Sequence, residues 1–299
     1  MRILFFGYGE IGRVCLQALI SAGIEITGVV TRSSDNGTNS SKNSVFHFAR
    51  DAGIEILNHT SVRAKTLPEA LNNVEYIISV QYDRILDETW LSIPKCDTLN
   101  LHFSFLPRLR GCFPTKWAII EEQTTGVTLH SVDKGIDTGD ILDQQALKIA
   151  INETDKSLYE KLSSSAIKLF KKNIPNLIIK SFPKRRKQCN EHSSYHPKKL
   201  PFGGRLDLRN NLDFCDRFLR AFTSPPFPPA SCTLGGKKVG LFAPIRKGKS
   251  SKSTEPGNYY LSKDKLLAVE CLDGILYFDA LQLDGEQTSP TIFWETNQA

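Results

Sequence analysis

Residues 2–32 read RILFFGYGEIGRVCLQALISAGIEITGVVTR and contain two apolar segments on either side of a helical pattern. The apolar runs at 2–9 and 25–32 are typical of buried strands. Between them, at 11–22, apolar residues recur with the spacing of a helix that packs on a sheet. A strand, a helix and a second strand in this order predict an open, mostly parallel α/β sheet.

The same alternation continues through the first half of the chain. Further strands are predicted at 75–82, 97–104 and 126–133. A long helical pattern follows at 157–181, where Ser157 and Glu160 form a capping-box signature and Pro175 is expected to interrupt the helix. These elements place a catalytic domain at 1–182.

The composition changes after residue 182. Residues 183–204 are rich in basic residues, Pro and Gly, which predicts a linker. The rest of the chain, 205–299, opens with a short helix and then has short apolar runs separated by turn signals such as Gly235-Gly236. This pattern is typical of a small β-barrel or sandwich, so we predict a second, smaller β domain there.

Composition excludes several classes of protein. Hydrophobic residues make up 40% and charged residues 23%, as in ordinary globular proteins. No apolar run approaches the ~20 residues of a membrane span, and the N-terminus is typical of a buried strand and not of a signal peptide. The seven cysteines include no C-x-x-C pair, so we expect no disulfide framework, no structural zinc and a cytoplasmic location. The net charge of +6 favours anionic partners without choosing among them.

A glycine pattern follows the first strand. Gly7, Gly9 and Gly12 match the dinucleotide-binding fingerprint in its usual position between a strand and a helix. The second strand ends at Arg32, and no acidic residue stands there for an NAD ribose, although an arginine suits the phosphate of NADP. An NADP-dependent oxidoreductase is therefore one hypothesis. The alternative is that these glycines only allow a tight turn.

Three polar side chains are expected to meet at the carboxyl edge of the sheet. Asn100 and His102 lie two residues apart on a predicted strand and so project from one face, and Asp137 follows the next strand in a Gly-rich turn. Amide and imidazole N–H groups stabilise negative charge on a carbonyl oxygen, and an imidazole, with an ordinary pKa of about 6.5, moves protons at neutral pH. The set favours acyl transfer to an amine without a metal. The alternative for each residue is structural: an edge Asn, a core His or a loop-capping Asp.

The segments that carry these residues resemble the formyltransferases that use N10-formyltetrahydrofolate. They read NLHFSFLPRLRG at 100–111, GVTLH at 126–130 and DTGD at 137–140. The resemblance implies that Asn100, His102 and Asp137 are the catalytic residues. It also implies that the folate donor binds at a set of residues comprising Gln81, Arg84, Ile85, Leu86, Asp137 and Asp140.

Several segments look like the sugar N-formyltransferase branch, and especially like the formyltransferase half of the enzyme that acts on UDP-4-amino-4-deoxy-arabinose. They are residues 6–8, residues 99–111 together with Pro114 and Trp117, and residues 225–230. The resemblance implies a Rossmann-like N-terminal domain with a mostly parallel sheet and a smaller, OB-like C-terminal β domain. It implies a UDP- or dTDP-linked amino sugar as the acceptor, a role in lipopolysaccharide biosynthesis and a possible homodimer.

The acceptor side of the site is less defined by the resemblance. An arginine guanidinium suits phosphate or sugar hydroxyls, and a structural role is the alternative for the arginine of the Arg-Gly pair. Cys112 and Phe113 depart from the usual pattern of the branch, which leaves the identity of the sugar open. The predicted acceptor-binding residues are Ser104, Arg110, Gly111 and Pro114.

Two other functions share this resemblance. A methionyl-tRNA formyltransferase would have the same fold, donor and catalytic residues, and would need many phosphate contacts to hold tRNA. The basic run at 184–187 permits this, but residues 7–11 lack the Gly-Thr-Pro of that subfamily and no basic insertion interrupts 34–45, so we do not expect a nucleic acid partner. A non-enzymatic protein on the same scaffold is the other alternative, and the intact set of three residues argues against it.

Overall fold

A computed structural model describes residues 1–32, 44–59, 71–121, 124–223, 225–250 and 254–298. The chain forms two compact units, each made from separate parts of the sequence. The first comprises Met1–Gly111, Thr125–Lys148 and Lys161–Tyr195, and the second comprises Cys112–Thr124, Ile149–Glu160 and His196–Ala299. The predicted division at 183–204 stays a prediction, and most of the segment 34–45 lies outside the described residues.

The strands, in chain order, are β1 (Arg2–Gly7), β2 (Glu25–Val30), β3 (Ile56–Leu57), β4 (Tyr76–Val80), β5 (Asp97–His102), β6 (Arg110–Gly111), β7 (Thr125–Ser131), β8 (Ile141–Leu147), β9 (Tyr195–His196), β10 (Ala230–Leu234), β11 (Lys237–Leu241), β12 (Arg246–Lys249), β13 (Tyr259–Leu261), β14 (Leu267–Cys271), β15 (Gly274–Phe278), β16 (Leu281–Leu283) and β17 (Glu286–Thr288). The α-helices are α1 (Gly9–Ser21), α2 (Val45–Asp51), α3 (Glu88–Leu91), α4 (Pro114–Glu121), α5 (Asp155–Ile178), α6 (Leu212–Arg220) and α7 (Pro290–Gln298). Over the described ranges, none of them combines the length and the apolar character that a membrane span requires.

The first unit is built on a seven-stranded sheet with the order β3-β2-β1-β4-β5-β7-β8. The strands from β3 to β5 in this order pair in parallel, whereas β7 and β8 run antiparallel to their neighbours. Every residue of β4 is buried, which explains why its sequence, YIISV, is apolar except at Ser79 and does not alternate. The predicted α/β domain with a mostly parallel sheet is confirmed.

The register of this sheet places polar residues of three strands in one row. Asn100 on β5 lies opposite Ser79 on β4 and opposite His130 on β7. Ile141, the first residue of β8, is paired with His130 as well. The segment between β7 and β8, which contains Asp137, therefore starts and ends beside this row.

Helix α5 begins earlier than the sequence predicts. The Ser157 N–H donates to the Thr154 hydroxyl (3.2 Å) and the Thr154 N–H donates to the Ser157 hydroxyl (3.0 Å), so Thr154 caps the helix. The predicted capping box of Ser157 and Glu160 is therefore wrong. The helix also continues through Pro175, which lies in its last turn, where the loss of one backbone N–H removes little of the helix hydrogen bonding.

The second unit contains two four-stranded antiparallel sheets, β10-β11-β16-β17 and β12-β15-β14-β13. Gly235 and Gly236, with φ of 54° and 77°, connect β10 to β11 as the predicted two-residue hairpin turn. The expected C-terminal antiparallel β domain is confirmed. Its OB-like topology stays a prediction.

A buried carboxylate holds α5 against β8 within the first unit. Asp143 is 3% exposed and accepts hydrogen bonds from Lys172 (2.8 Å), Asn173 (3.0 Å) and Lys184 (3.3 Å). Burial acts to raise the pKa of Asp143, but these three donors outweigh it and lower the pKa to about 2. Because the folded-state pKa lies below the unfolded value of about 3.9, the charge stabilises the fold at neutral pH.

Replacing Asp143 with Asn is expected to lower the free energy of unfolding by about 1–2 kcal/mol at pH 7. The contribution is fully present above the unfolded pKa and is lost as the pH falls through the folded one, so the difference from wild type should shrink between about pH 4 and pH 2. Urea unfolding at several pH values measures this. Asp51→Asn, which removes an exposed carboxylate paired with Arg50, is the control and should change stability by less than about 0.5 kcal/mol. A constant difference down to about pH 2 would contradict the lowered pKa.

Candidate active site

The three predicted catalytic residues lie at one place in the first unit. Asn100 and His102 project from the same face of β5. Asp137 lies between β7 and β8 with φ of 54°, a left-handed conformation that Asp tolerates better than most residues. Its Oδ2 lies 3.7 Å from His102 Nδ1. The structure therefore brings an amide, an imidazole and a carboxylate together at the C-terminal end of β5.

A backbone carbonyl orients the His102 imidazole. His102 Nε2 lies 3.0 Å from the Leu109 carbonyl oxygen and must carry the proton, because a carbonyl only accepts hydrogen bonds. Leu109 has φ of 58°, and its N–H donates to the Ser194 hydroxyl (2.8 Å), which fixes the direction of this segment. The nitrogen left to take up a proton is Nδ1, which faces Asp137.

Asp137 has a close neighbour at each carboxylate oxygen. Oδ2 accepts a hydrogen bond from the Gly111 N–H (2.8 Å), and Oδ1 lies 3.4 Å from His130 Nε2. Burial acts to raise the pKa of Asp137, but the neighbouring His102 ring and the hydrogen bond from the Gly111 N–H act in the opposite direction, and this pKa lies below its ordinary value. Asp137 is therefore a carboxylate at neutral pH.

Gln188 holds the turn that carries Asp137. Its side-chain N–H₂ donates to the carbonyl oxygens of Asp137 (2.8 Å) and Gly139 (2.7 Å). Its Oε1 accepts from the buried guanidinium of Arg110 (2.8 and 3.1 Å), which also donates to Asn190 (3.1 Å). Burial lowers the pKa of Arg110. The predicted acceptor contact of Arg110 stays a prediction, and sequence reasoning missed Gln188 because 51 positions separate it from Asp137.

The other predicted acceptor residues have different surroundings. Ser104 is fully buried and its hydroxyl donates to the Arg108 carbonyl (2.8 Å), which closes the turn after β5. Gly111 donates its N–H to Asp137. Pro114 begins α4 in the second unit. The acceptor contacts of these residues stay predictions.

The predicted folate residues fall into an exposed and an enclosed group. Gln81, with φ of 58°, directly follows β4, and Arg84 and Ile85 are exposed, Ile85 by 73%. Leu86 instead packs into the apolar cluster around Trp90. Asp140 accepts a hydrogen bond from Arg185 (3.1 Å). Their contacts with folate stay predictions.

The glycine pattern after β1 has structural reasons within the chain. Gly9 has φ of 63°, and a β-carbon at Gly12 would lie 2.9 Å from the Val45 side chain of α2. The Arg32 guanidinium, predicted to suit an NADP phosphate, lies 4.1 Å from the centre of the Tyr8 ring and 3.2 Å from the Asp83 carboxylate. Backbone geometry and helix packing thus account for Gly9 and Gly12.

Sequence comparisons agree on one family. Residues 1–174 match the formyl transferase family and residues 203–297 match the formyl transferase C-terminal domain. The bifunctional polymyxin resistance protein ArnA of Wigglesworthia glossinidia brevipalpis is 34% identical over 80% of this chain, which spans 37% of that protein. The methionyl-tRNA formyltransferase of Geobacter sulfurreducens is 30% identical over 97% of this chain and 92% of that protein.

Solved structures show the same fold. The crystal structure of WlaRD, a sugar 3N-formyltransferase studied with dTDP and 5-N-formyl-THF, has a TM-score of 0.72 and 26% identity, and the match covers 93% of this chain and 97% of that one. An N-formyltransferase from Helicobacter canadensis matches with a TM-score of 0.71 and 24% identity over 92% of this chain and 98% of that one. The chain therefore belongs to the formyl transferase family and is an N-formyltransferase.

Proposed function

We propose that this enzyme transfers the formyl group of N10-formyltetrahydrofolate to the primary amine of a nucleotide-linked amino sugar, with UDP or dTDP as the nucleotide. The observation that carries this proposal is the match to WlaRD, which spans nearly the whole of both chains and whose structure was studied with dTDP and a formyl-folate. The match to ArnA over most of this chain supports the same branch.

The proposal gives each residue of the site a role. The folate supplies an activated formyl group. The free N–H of Asn100 donates to the formyl oxygen, where negative charge develops. His102 Nδ1 accepts the proton that the amine loses as its nitrogen bonds to the formyl carbon, and passes it to the folate nitrogen whose bond to that carbon breaks. Asp137, as a carboxylate, stabilises the charged imidazole between these two steps.

The spacing between His102 and Asp137 suits this role. At 3.7 Å, Nδ1 and Oδ2 are too far apart for a direct hydrogen bond. The proton-accepting nitrogen is therefore not occupied by Asp137, and an amine or a water molecule can hydrogen-bond to it. The charge of the carboxylate still acts over this distance because the site is largely buried.

The loops on either side of the site fit a flat, partly apolar donor. Ile85, after β4, is 73% exposed, and Ile136, beside Asp137, is 40% exposed. Apolar side chains left uncovered in two loops that carry predicted folate residues provide a surface on which an aromatic ring system can pack. Gln81 and Asp137 add polar groups that orient such a ligand.

A panel of acceptors tests the proposal. The purified enzyme is incubated with N10-formyltetrahydrofolate and a dTDP-linked 3-amino sugar, a UDP-linked 4-amino sugar or methionyl-tRNA, and mass spectrometry detects the gain of one formyl group. We expect turnover with a nucleotide sugar and none with methionyl-tRNA. Formylation of methionyl-tRNA alone would overturn the proposal in favour of the function of the Geobacter relative. Steep salt dependence of tRNA binding would accompany that result.

A further inference from the structure

His130, the last residue but one of β7, contacts both Asn100 and Asp137. We propose that His130 is a positioning residue that fixes the direction of the Asn100 amide, so that an N–H and not the carbonyl oxygen is presented to the formyl group. The inference rests on the proposed role of Asn100 but not on the identity of the acceptor. Sequence reasoning noted His130 only within the 126–130 segment and gave it no role.

The protonation of the His130 ring follows from its backbone contact. His130 Nδ1 lies 2.7 Å from the Ser131 carbonyl oxygen, which can only accept, so Nδ1 carries a proton. In the neutral ring Nε2 then has no hydrogen and is an acceptor. The ring is 1% exposed and cannot exchange this arrangement for contacts with water. The neutral ring therefore offers Asn100 a fixed acceptor.

Asn100 uses this acceptor. Its Nδ2 lies 3.2 Å from His130 Nε2, as expected for residues directly opposite each other in the antiparallel pair of β5 and β7. One amide hydrogen is thereby committed to His130, which sets the directions of the second amide hydrogen and of Oδ1. Without it, the amide can rotate by half a turn and exchange its donor for its acceptor. A carbonyl oxygen in that place would repel the charge that develops on the formyl oxygen.

The contact with Asp137 shows which protonation state of His130 the positioning role requires. Nε2 also lies 3.4 Å from Asp137 Oδ1. A protonated His130 would donate to this carboxylate, but its Nε2 could then no longer accept from Asn100. The neutral ring is therefore the form that positions the amide.

Two substitutions separate positioning from packing. His130→Gln keeps an acceptor oxygen that can reach Asn100, whereas His130→Leu fills a similar volume with no acceptor. The assay uses whichever acceptor of the panel supports turnover: the dTDP-linked 3-amino sugar, the UDP-linked 4-amino sugar or methionyl-tRNA. We expect the Leu variant to lose kcat by about 10²-fold with little change in KM, and the Gln variant to lose less than about tenfold. Equal losses in the two variants, or a loss confined to KM, would show that the ring only fills space. Melting temperatures establish folding, and His130→Met replaces the Leu variant where that one does not fold.

A double substitution separates this inference from the proposed function. If His130 acts through Asn100, the Asn100→Ala/His130→Leu double variant is no slower than Asn100→Ala alone. Additive losses would overturn the positioning role. Wild-type activity in Asn100→Ala would instead overturn the role of Asn100 in the proposed mechanism. If Asn100→Ala loses most of its kcat while His130→Leu stays fully active, the positioning role of His130 is wrong and the role of Asn100 stands.

Discussion

Alanine in place of His102 is expected to lower kcat for formyl transfer by about 10²–10⁴-fold, the range that a positioned general base contributes. The reason is geometric: Nε2 is held by the Leu109 carbonyl, and Nδ1 is the nitrogen left to receive the proton of the attacking amine. Alanine removes this acceptor. Steady-state kinetics with a saturating formyl donor measure the loss.

The matched control for this experiment is His192→Ala. His192 lies in the short 3₁₀ helix Asn190–His192 and is exposed, so its removal should leave kcat within a factor of about two of wild type. The melting temperature of His102→Ala should be compared with that of wild type, because the side chain is 8% exposed. A folded His102→Ala enzyme with near-normal kcat would show that the proton leaves the amine by another route.

Replacing Asp137 with Asn is expected to lower kcat by about 10²–10³-fold. The substitution keeps the shape of the side chain but removes its charge, which lies 3.7 Å from the His102 ring. At this distance, with an effective dielectric constant of about 20, a unit charge stabilises an imidazolium by about 4–5 kcal/mol, and solvent screening of this incompletely buried pair reduces the net effect. The lowered pKa of Asp137 means that the full charge is present above the ordinary carboxyl range, hence throughout a neutral assay.

Asp133→Asn separates the charge of Asp137 from the shape of its loop. Asp133 is an exposed carboxylate in the same loop, and it accepts hydrogen bonds from the Gly135 N–H (3.1 Å) and the Thr138 hydroxyl (2.5 Å). Because these hydrogen bonds lie within the loop, its replacement should cost much less than tenfold in kcat. Similar losses in the two Asn variants would indicate that loop geometry, and not charge, limits the reaction. Kinetics of both variants with the same acceptor provide the comparison.

The order of the elements in the first unit could be predicted because it is encoded locally. The observed β1, β2, β4 and β5 fall within the predicted segments, since apolar runs bounded by turn residues report burial directly. The edge strands β3 and β8 were not predicted. Residues 141–147, ILDQQAL, are buried only in their first half and carry polar residues in the rest, so they have no continuous apolar run.

The division of the chain into units could not be predicted in the same way. A change of composition marks a boundary along the sequence, but each compact unit contains segments from three separate parts of the chain. Helix α5 itself begins in the second unit and ends in the first. Which segments pack together depends on contacts between distant residues, and these leave no signal in local periodicity.

Asn100 and His102 share a face because alternate residues of any strand do so, and this part of the site follows from local geometry alone. The residues that hydrogen-bond to this site and position its side chains come from elsewhere in the chain. His130 meets Asn100 through the register of an antiparallel strand pair, and Gln188 reaches the Asp137 turn across 51 positions. Hydrogen bonds of this kind depend on the packed positions of both partners. The residue types of the site could therefore be predicted from the sequence, whereas their protonation, their orientation and the hydrogen bonds that hold them are set only in the folded chain.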